Sequence, residues 1–550
     1  MDAEDGDGGP SFSPASTTEV AVKAAPWWRR RPLLSGCGTG RKAVRAASVA
    51  AAVLIAAVVL SYYARGDYDE MPSSLFTTTT ATGAAPPEVA ELATGGGGSG
   101  LPGLEDAPPS NSNLTGDQLL GGLLSAAFSW QSCRSRYEFA GYHKRKPPHK
   151  PSPYLVAKLR SHEALQKRCG PGTAPYDKAL RQLKSGDGAA AADGDDDDCR
   201  YVVSIGYDRG LGNRVIAIVS AFLYAVLTER ALLVAPYNGD VAALFCEPFP
   251  GTTWLLPGGR RFPLRRLREL DGKSRESLGT LLKSNAVSVD AGGNGTSSWS
   301  GRPPPYVYLH LDGSADYHDK LFYCDEQQRL LRGVPWLLMK TDSYLVPGLF
   351  LVPSLRGELE RMFPEKDAVF HHLSRYLLHP ANAVWHAITA YHRDHLAGAG
   401  HLVGIQIRVY HEETPPVSQV VLDQPSHEGL QRMGDTAHDM RALSEMYLLS
   451  TCDALLTTGF STFGYVAQGL AGERPWLMPR RPVWDKEPAT EVPEPPCARA
   501  ASPEPCFHSP SYYDCAARRN YEDIGKAVPY IRRCEDVSWG IQLVNGSSHW

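Results

Sequence analysis

The chain has 550 residues, of which 43% are hydrophobic and 21% are charged, and its formal net charge is −4 at pH 7. This composition excludes a wholly disordered or collagen-like chain, and the near balance of charge gives no reason to expect a nucleic acid partner. At about 150 residues per domain, the length predicts two to four domains.

An apolar run near the N-terminus predicts a membrane anchor. Residues 46–64 read AASVAAAVLIAAVVLSYYA, without a charge. At about 1.5 Å per residue, a helix of this length just spans a bilayer core of about 30 Å. Basic residues precede the run and acidic residues follow it, so the positive-inside rule predicts a cytosolic tail at 1–45, a transmembrane signal anchor at 46–64 and a luminal remainder. A cleaved signal peptide and a buried core helix are the alternatives.

Two low-complexity stretches follow the predicted anchor. Residues 65–116 are rich in Gly, Pro and Thr and predict a flexible luminal stem, so that a folded domain occupies 117–550. Within that domain, 189–198 (AAAADGDDDD) predicts a solvated acidic insert. Its Asp193-Gly-Asp195 resembles a two-carboxylate metal motif, but no apolar strand precedes it, and we expect no metal there.

Cysteines and glycosylation acceptors agree with a luminal domain. Ten of the eleven cysteines follow the predicted anchor, and an even number in an oxidising compartment favours disulfides, although the sequence leaves their pairing open. Three acceptor motifs, at Asn113, Asn294 and Asn545, lie on the same side.

A strand–loop–helix–strand pattern begins at Tyr201. The sequence predicts a strand at 201–205, a loop at 206–214, a helix at 215–230 and a strand at 231–234. Gly210 and Gly212 in the loop would let the backbone approach a ligand closely, and the helix N-terminus favours an anion. A structural turn is the alternative interpretation.

A second unit of this kind lies nearer the C-terminus. The predicted elements are a strand at 401–409, a helix at 440–450, a strand at 453–457, a turn at 458–464, a helix at 465–470 and a strand at 475–478. Ser461 and Thr462 in the turn suggest a phosphate seat, although simple N-capping is the alternative. Arg408, at the end of its strand, could fork onto a diphosphate or make only a surface salt bridge.

Together the two units predict an α/β protein with two doubly wound halves that face a shared cleft. Such an architecture suits a nucleotide-sugar transferase in which an arginine and a helix N-terminus stabilise the leaving diphosphate without a metal ion.

Many longer motifs resemble the plant xyloglucan fucosyltransferase family, and they are dense from about residue 117 to the C-terminus. The matching stretches are GLGNR (210–214), LFCEPFPGTTWLLP (244–257), VPWLLMKTDSYLVP (334–347), FHHLSRYLLHP (370–380), GIQIRVY (404–410), QPSHE (424–428), STFGYVAQGL (461–470), EPCFHSPSYYDC (504–515) and CEDVSWGIQLV (534–544).

The resemblance implies two facing Rossmann-like domains (a GT-B-like fold) behind a single-pass anchor, in a type II protein of the Golgi membrane. It implies inverting transfer of fucose from GDP-fucose to galactose of a cell-wall polysaccharide, without a cofactor. Xyloglucan is the default acceptor and arabinogalactan the alternative, and other glycosyltransferases are candidate partners.

The resemblance also implies roles for single residues. Arg408 matches the arginine that holds the donor diphosphate and is the predicted catalytic residue. The predicted donor-binding residues are Gly210, Gly212, Asn213, Arg214, Ser461, Thr462 and Phe463. A catalytic base stays unassigned: Asp312, Asp316, His318 and Asp319 are the nearest acid/base candidates, and we expect them to lie in a solvated loop.

The chain departs from the family pattern at 410–423. Only nine residues separate the strand that ends near Val409 from the next apolar stretch, too few for a helical crossover. This apparent deletion keeps open a second hypothesis, a catalytically inactive, membrane-tethered protein that binds glycan or a partner enzyme.

Overall fold

The computed structural model describes residues 20–22, 119–143, 149–186, 199–235, 241–284, 286–289, 297–407, 434–478, 497–511 and 513–546. The predictions for the anchor, the stem, the acidic insert, the shortened segment at 410–423, Arg408, Asn113 and Asn294 lie outside these ranges. Within them, no helix combines the length and the apolar character needed to cross a membrane.

The strands are β1 (Val20–Val22), β2 (Tyr201–Ile205), β3 (Ala231–Val234), β4 (Val287–Val289), β5 (Ser297–Trp299), β6 (Tyr306–His310), β7 (Trp336–Lys340), β8 (Val403–Gln406), β9 (Ala454–Thr458), β10 (Trp476–Met478), β11 (Ala498–Arg499), β12 (Tyr513–Asp514), β13 (Arg519–Asn520), β14 (Ile531–Arg533) and β15 (Ile541–Leu543).

The α-helices are α1 (Arg134–Glu138), α2 (Pro153–Cys169), α3 (Ala174–Ser185), α4 (Leu211–Leu227), α5 (Val241–Leu244), α6 (Leu278–Lys283), α7 (Tyr317–Lys320), α8 (Asp325–Arg332), α9 (Val346–Leu349), α10 (Pro353–Met362), α11 (Val369–Leu377), α12 (Asn382–Tyr391), α13 (Thr436–Ser450), α14 (Thr462–Ala471) and α15 (Ile524–Ala527).

The first half of the described chain contains a parallel sheet in the order β3-β2-β7-β6. Val203, in the middle of β2, lies between Leu233 of β3 and Leu338 of β7. All residues of β2, β3 and β7 are buried, which explains why they read as continuous apolar runs rather than alternating ones. The strands predicted at 201–205 and 231–234 are confirmed.

The second half contains a five-stranded sheet in the order β1-β8-β9-β10-β11. β8, β9 and β10 are parallel, and the two edge strands, β1 and β11, run antiparallel to their neighbours. Val20–Val22 pairs with residues 403–405.

The helices that follow the predicted loop at 206–214 and the predicted turn at 458–464 begin earlier than the sequence predicts. α4 begins at Leu211 instead of 215, and α14 begins at Thr462 instead of 465. Gly212, Asn213 and Arg214 therefore form the first turn of α4 and not a loop. Glycine and asparagine are typical of loops, which is why the sequence predicts a later helix start. The N–H groups of a first helical turn have no partner within the helix, so tertiary contacts decide where α4 begins.

A C-terminal segment, residues 497–546, follows the second sheet and is tied by disulfides. Eight of the ten cysteines beyond the predicted anchor form four bonds, which are Cys133–Cys246, Cys169–Cys199, Cys324–Cys515 and Cys506–Cys534. Cys452 and Cys497 lie outside these bonds. Cys452 precedes β9, whereas Cys497 lies beside the far end of the same sheet, so these two thiols cannot pair with each other. Asn545, the one acceptor asparagine among the described residues, is exposed.

The two halves share one hydrophobic core. α11 packs between α4 and α14, and Phe370 on α11 lies so close to Gly469 that a side chain at 469 would overlap its ring at 2.3 Å. Glu504 of the C-terminal segment accepts hydrogen bonds from Tyr344 Oη and Phe370 N, both at 2.7 Å. This packing brings the starts of α4 and α14 together.

Candidate functional site

The N-termini of α4 and α14 meet at one point between the halves. A Cβ atom on Gly212 would lie 2.8 Å from Phe463 N, from the carbonyl carbon of Thr462 and from Thr462 Oγ1. Only glycine allows this contact without a shift of one helix. Because a helix N-terminus carries positive potential, two of them at one place form a site suited to an anion such as a diphosphate.

Asn213 joins three elements at this point. Its Nδ2 donates to the carbonyl of Asp342, just beyond β7, at 2.9 Å. Its Oδ1 accepts from Thr462 Oγ1 at 3.0 Å. The side chain thus fixes the start of α14 relative to the carboxyl edge of the first sheet.

Arg214 forms a buried ion pair across the two halves. Its Nη2 lies 2.5 Å from Asp439 Oδ1 on α13, and both side chains are buried. Burial raises the pKa of Asp439, although the hydrogen bond from Arg214 acts in the opposite direction. The structure therefore gives Arg214 a partner within the protein, and the donor contact predicted from the sequence stays a prediction.

The turn before α14 combines a cap with an unusual backbone conformation. Ser461 Oγ accepts from Gly464 N at 3.5 Å, so the residue N-caps the helix, as the alternative interpretation proposed. Phe460 has φ +63°, a left-handed conformation that is costly for a residue with a side chain. Ser461, Thr462 and Phe463 are all buried, and the last two lie against Gly212 of α4.

Sequence reasoning missed a group of polar residues at the carboxyl edge of the first sheet. Tyr207 follows β2, whereas His310 and Lys340 are the last residues of β6 and β7. Lys340 Nζ lies 4.7 Å from the ring centroid of Tyr207 and donates to two backbone carbonyls. Burial lowers the pKa of Lys340 and of His310. Each stands alone in the sequence, but their common position after neighbouring parallel strands was a usable signal.

The prediction that the acid/base candidates lie in a solvated loop is wrong for Asp312 and Asp319, which are buried. Asp312 is buried and accepts from the backbone N–H and the hydroxyl of Ser314 at 2.7 and 2.6 Å, and burial raises its pKa. Asp316 caps α7 and Asp319 closes the reciprocal bond, while burial raises the pKa of Asp319 to about 6. Asp316 and Asp319 therefore have a structural role, whereas Asp312 lies two residues beyond β6 at the same polar edge.

One cluster of described residues outside the disulfides could hold a metal ion. The ligand atoms of His149, Glu365 and Asp367 lie within 4.8 Å of one another, and His149 Nδ1 is 2.5 Å from Glu365 Oε2. The ring of His149 is 5.5 Å from that of His371, which lies against Gly472 at the C-terminus of α14. The cluster is thus at the opposite end of α14 from the two helix starts.

Comparisons with known proteins agree on one family. The family profile described as xyloglucan fucosyltransferase matches residues 103–422 and 413–516. The chain is 41% identical over 503 residues to a galactoside 2-alpha-L-fucosyltransferase of Arabidopsis thaliana, with 79% of this chain and 85% of that protein covered. It is also 41% identical over 496 residues to the enzyme of the same name from Pisum sativum, with 78% and 83% covered.

A solved structure extends this likeness to the fold. The structure of a point mutant of Arabidopsis thaliana FUT1 in complex with GDP matches with a TM-score of 0.66 and 40% identity, and the match covers 78% of this chain and 100% of that chain. It supports the predicted GT-B-like α/β fold. From the sequence motifs, the fold and these matches, it follows that the chain belongs to the xyloglucan fucosyltransferase family.

Proposed function

We propose that this protein transfers fucose from GDP-fucose to a galactose of a xyloglucan-type cell-wall polysaccharide, with inversion, as a type II protein of the Golgi membrane. The observation that carries the proposal is the meeting of two helix N-termini at Gly212 and Phe463. Relatives named galactoside 2-alpha-L-fucosyltransferase and a relative solved with GDP support the reaction and the donor.

The proposed reaction requires the protein to stabilise the departing GDP. The first-turn N–H groups of α4 and α14 would face the diphosphate, because Gly212 lets the two helix starts meet at one place. Arg408 follows β8 by two residues. The neighbouring Gln406 is tied to the strand beside it, because Thr458 Oγ1 donates to its carbonyl at 3.1 Å. Arg408 thus follows a strand that pairs in parallel with β9, which ends three residues before Ser461, and we assign it the diphosphate.

The acceptor galactose would approach from the carboxyl edge of the first sheet. Tyr207, His310, Asp312 and Lys340 supply hydrogen-bonding groups there for the hydroxyls of a sugar. Inversion requires the attacking hydroxyl to lie opposite the leaving diphosphate.

Calorimetric titration of GDP into the purified full-length chain tests the donor site without any assumption about the acceptor. We expect binding by the wild type and loss of binding and transfer in Arg408→Ala, because the proposal assigns this arginine to the charge of the diphosphate. Arg393→Ala is the matched control, since Arg393 is exposed and pairs with Asp394 beside it. Undiminished turnover in Arg408→Ala would remove this residue from the mechanism.

Product analysis with labelled GDP-fucose then separates the acceptors. Galactosylated xyloglucan oligosaccharide should be fucosylated in preference to arabinogalactan. The reverse preference would keep the reaction and change the polymer.

A specific observation favours the inactive alternative. The family profile matches in two segments that overlap at 413–422, which falls on the shortened stretch at 410–423. A well-folded chain that binds galactosylated glycan but not GDP would establish this alternative in place of the transferase.

A further inference from the structure

We propose that Asp536, in the C-terminal segment, is a positioning residue that holds the donor loop before α14 in its binding conformation. The proposal rests on the proposed function, because it assigns the donor diphosphate to that loop. No motif or spacing in the sequence connects Asp536 with Ser461.

The contacts of Asp536 converge on the residues that flank Ser461. Its Oδ2 accepts from Phe460 N at 2.8 Å and from the Tyr465 hydroxyl at 2.6 Å. One carboxylate oxygen therefore holds the residue before the cap and the first turn of the helix after it.

The geometry shows that the loop needs such support. Phe460 has φ +63°, a conformation that a residue with a side chain adopts at a cost and keeps only where its surroundings fix it. The hydrogen bond from its N–H to Asp536 supplies that constraint. A Cβ atom on Gly459 would lie 2.8 Å from Asp536 Cβ, so the turn packs directly against Asp536.

The C-terminal segment is itself fixed close to Asp536. The disulfide Cys506–Cys534 ends two residues before it. His508 Nε2 lies 3.1 Å from the Tyr465 hydroxyl, and the ring of His508 is 4.4 Å from that of Phe460. A disulfide and the contacts of His508 therefore hold the C-terminal segment beside the donor loop.

Asp536→Ala tests this role in the full-length chain. We expect GDP binding to weaken about tenfold, as for loss of a hydrogen bond to a charged group. We also expect a higher KM for GDP-fucose at unchanged acceptor KM, and faster amide hydrogen exchange across 459–465. Asp536→Asn should restore most of the affinity, because its amide oxygen can still accept from Phe460 N.

Glu535→Gln is the matched control. It removes a carboxylate one residue away that accepts from Ala501 N and Gln542 Nε2 and has no hydrogen bond to the donor loop. GDP affinity should stay at the wild-type value in this variant. If Asp536→Ala fails to fold, Tyr465→Phe removes one of the two donors and should weaken GDP binding about threefold.

Three results would overturn the proposal. The first is GDP affinity and amide exchange at the wild-type level in Asp536→Ala. The second is tighter GDP binding in Asp536→Asn, which would mean that the carboxylate acts through its charge. The third is wild-type GDP affinity in Tyr465→Phe. If the wild type itself binds no GDP, the proposed function fails, and the exchange rates across 459–465 still decide whether Asp536 holds the loop.

Discussion

The starts of α4 and α14 meet at one site, yet they are held in different ways. The start of α4 has no capping side chain at Gly210 and is fixed by Asn213 and Arg214, whose partners lie 129 and 225 residues further along the chain. The start of α14 is capped by its own Ser461 and supported by the C-terminal segment. The first helix start therefore depends on the interface between the halves, and the second depends on an appended segment.

This difference predicts that substitutions around α4 act mainly on stability. Removing one partner of the buried Arg214–Asp439 pair leaves an uncompensated charge, which costs about 3–5 kcal/mol. We expect Asp439→Ala to lower the urea midpoint strongly. The double variant Arg214→Ala/Asp439→Ala should be more stable than the sum of the single losses predicts.

The exposed pair Arg266–Glu269, at 3.3 Å, provides the control for that cycle. Because both side chains are solvated, Glu269→Ala should change the free energy of unfolding by less than about 1 kcal/mol. A similarly small effect of Asp439→Ala would show that the pair does not hold the halves together.

Gly212→Ala tests the contact between the helices with a smaller expected cost. The added Cβ would lie 2.8 Å from backbone atoms of Thr462 and Phe463, and overpacking of this kind typically costs about 1–3 kcal/mol. We expect a lower melting temperature and weaker GDP binding than in the wild type, because the added methyl group forces the two helix starts apart.

Gly357→Ala on α10 is the matched control, since no atom lies within 4 Å of the Cβ position there. Alanine in place of glycine at this exposed helix position should raise stability by about 0.5–1 kcal/mol. Equal effects of the two substitutions on GDP affinity would contradict the contact as the basis of the site.

Much of the fold could be predicted because the relevant signals are local. The buried strands β2 and β3 read as short apolar runs between glycine and polar residues, and their bounds are confirmed. The start of α4 could not be placed, because Gly212 and Asn213 have loop propensity and become helical through contacts with another part of the chain.

The candidate site could be predicted only in part for the same reason. Gly212 and Thr462 come together as the two predicted loops required. The pairing of Arg214 with Asp439 and of Phe460 with Asp536 joins residues 225 and 76 positions apart. Such pairs have no periodicity, and acidic residues near the C-terminus read as ordinary surface charges.

Glu504 offers a test of the contacts that the C-terminal segment makes with both halves. Its carboxylate lies between Tyr344 of the first half and the start of α11. Burial raises the pKa of Glu504 to about 8 from an ordinary value of 4.5, although the two donated hydrogen bonds act against this rise. The folded protein therefore binds one more proton than the unfolded chain between these two pH values.

The sign of the pH dependence follows from that proton. Since the folded pKa is the higher one, the stabilisation is fully present below about pH 4.5 and is lost as the pH rises through about 8. Burial lowers the pKa of His162 and His372 to about 3. Their effect on stability has the opposite sign, and most of it develops as the pH rises from about 3 to 7. Between pH 7 and 8 we expect the free energy of unfolding to change by about 1 kcal/mol less favourably in the wild type than in Glu504→Gln. Unfolding curves of both proteins at the two pH values check it, and an equal change in both would show that the carboxyl group of Glu504 does not titrate in this range.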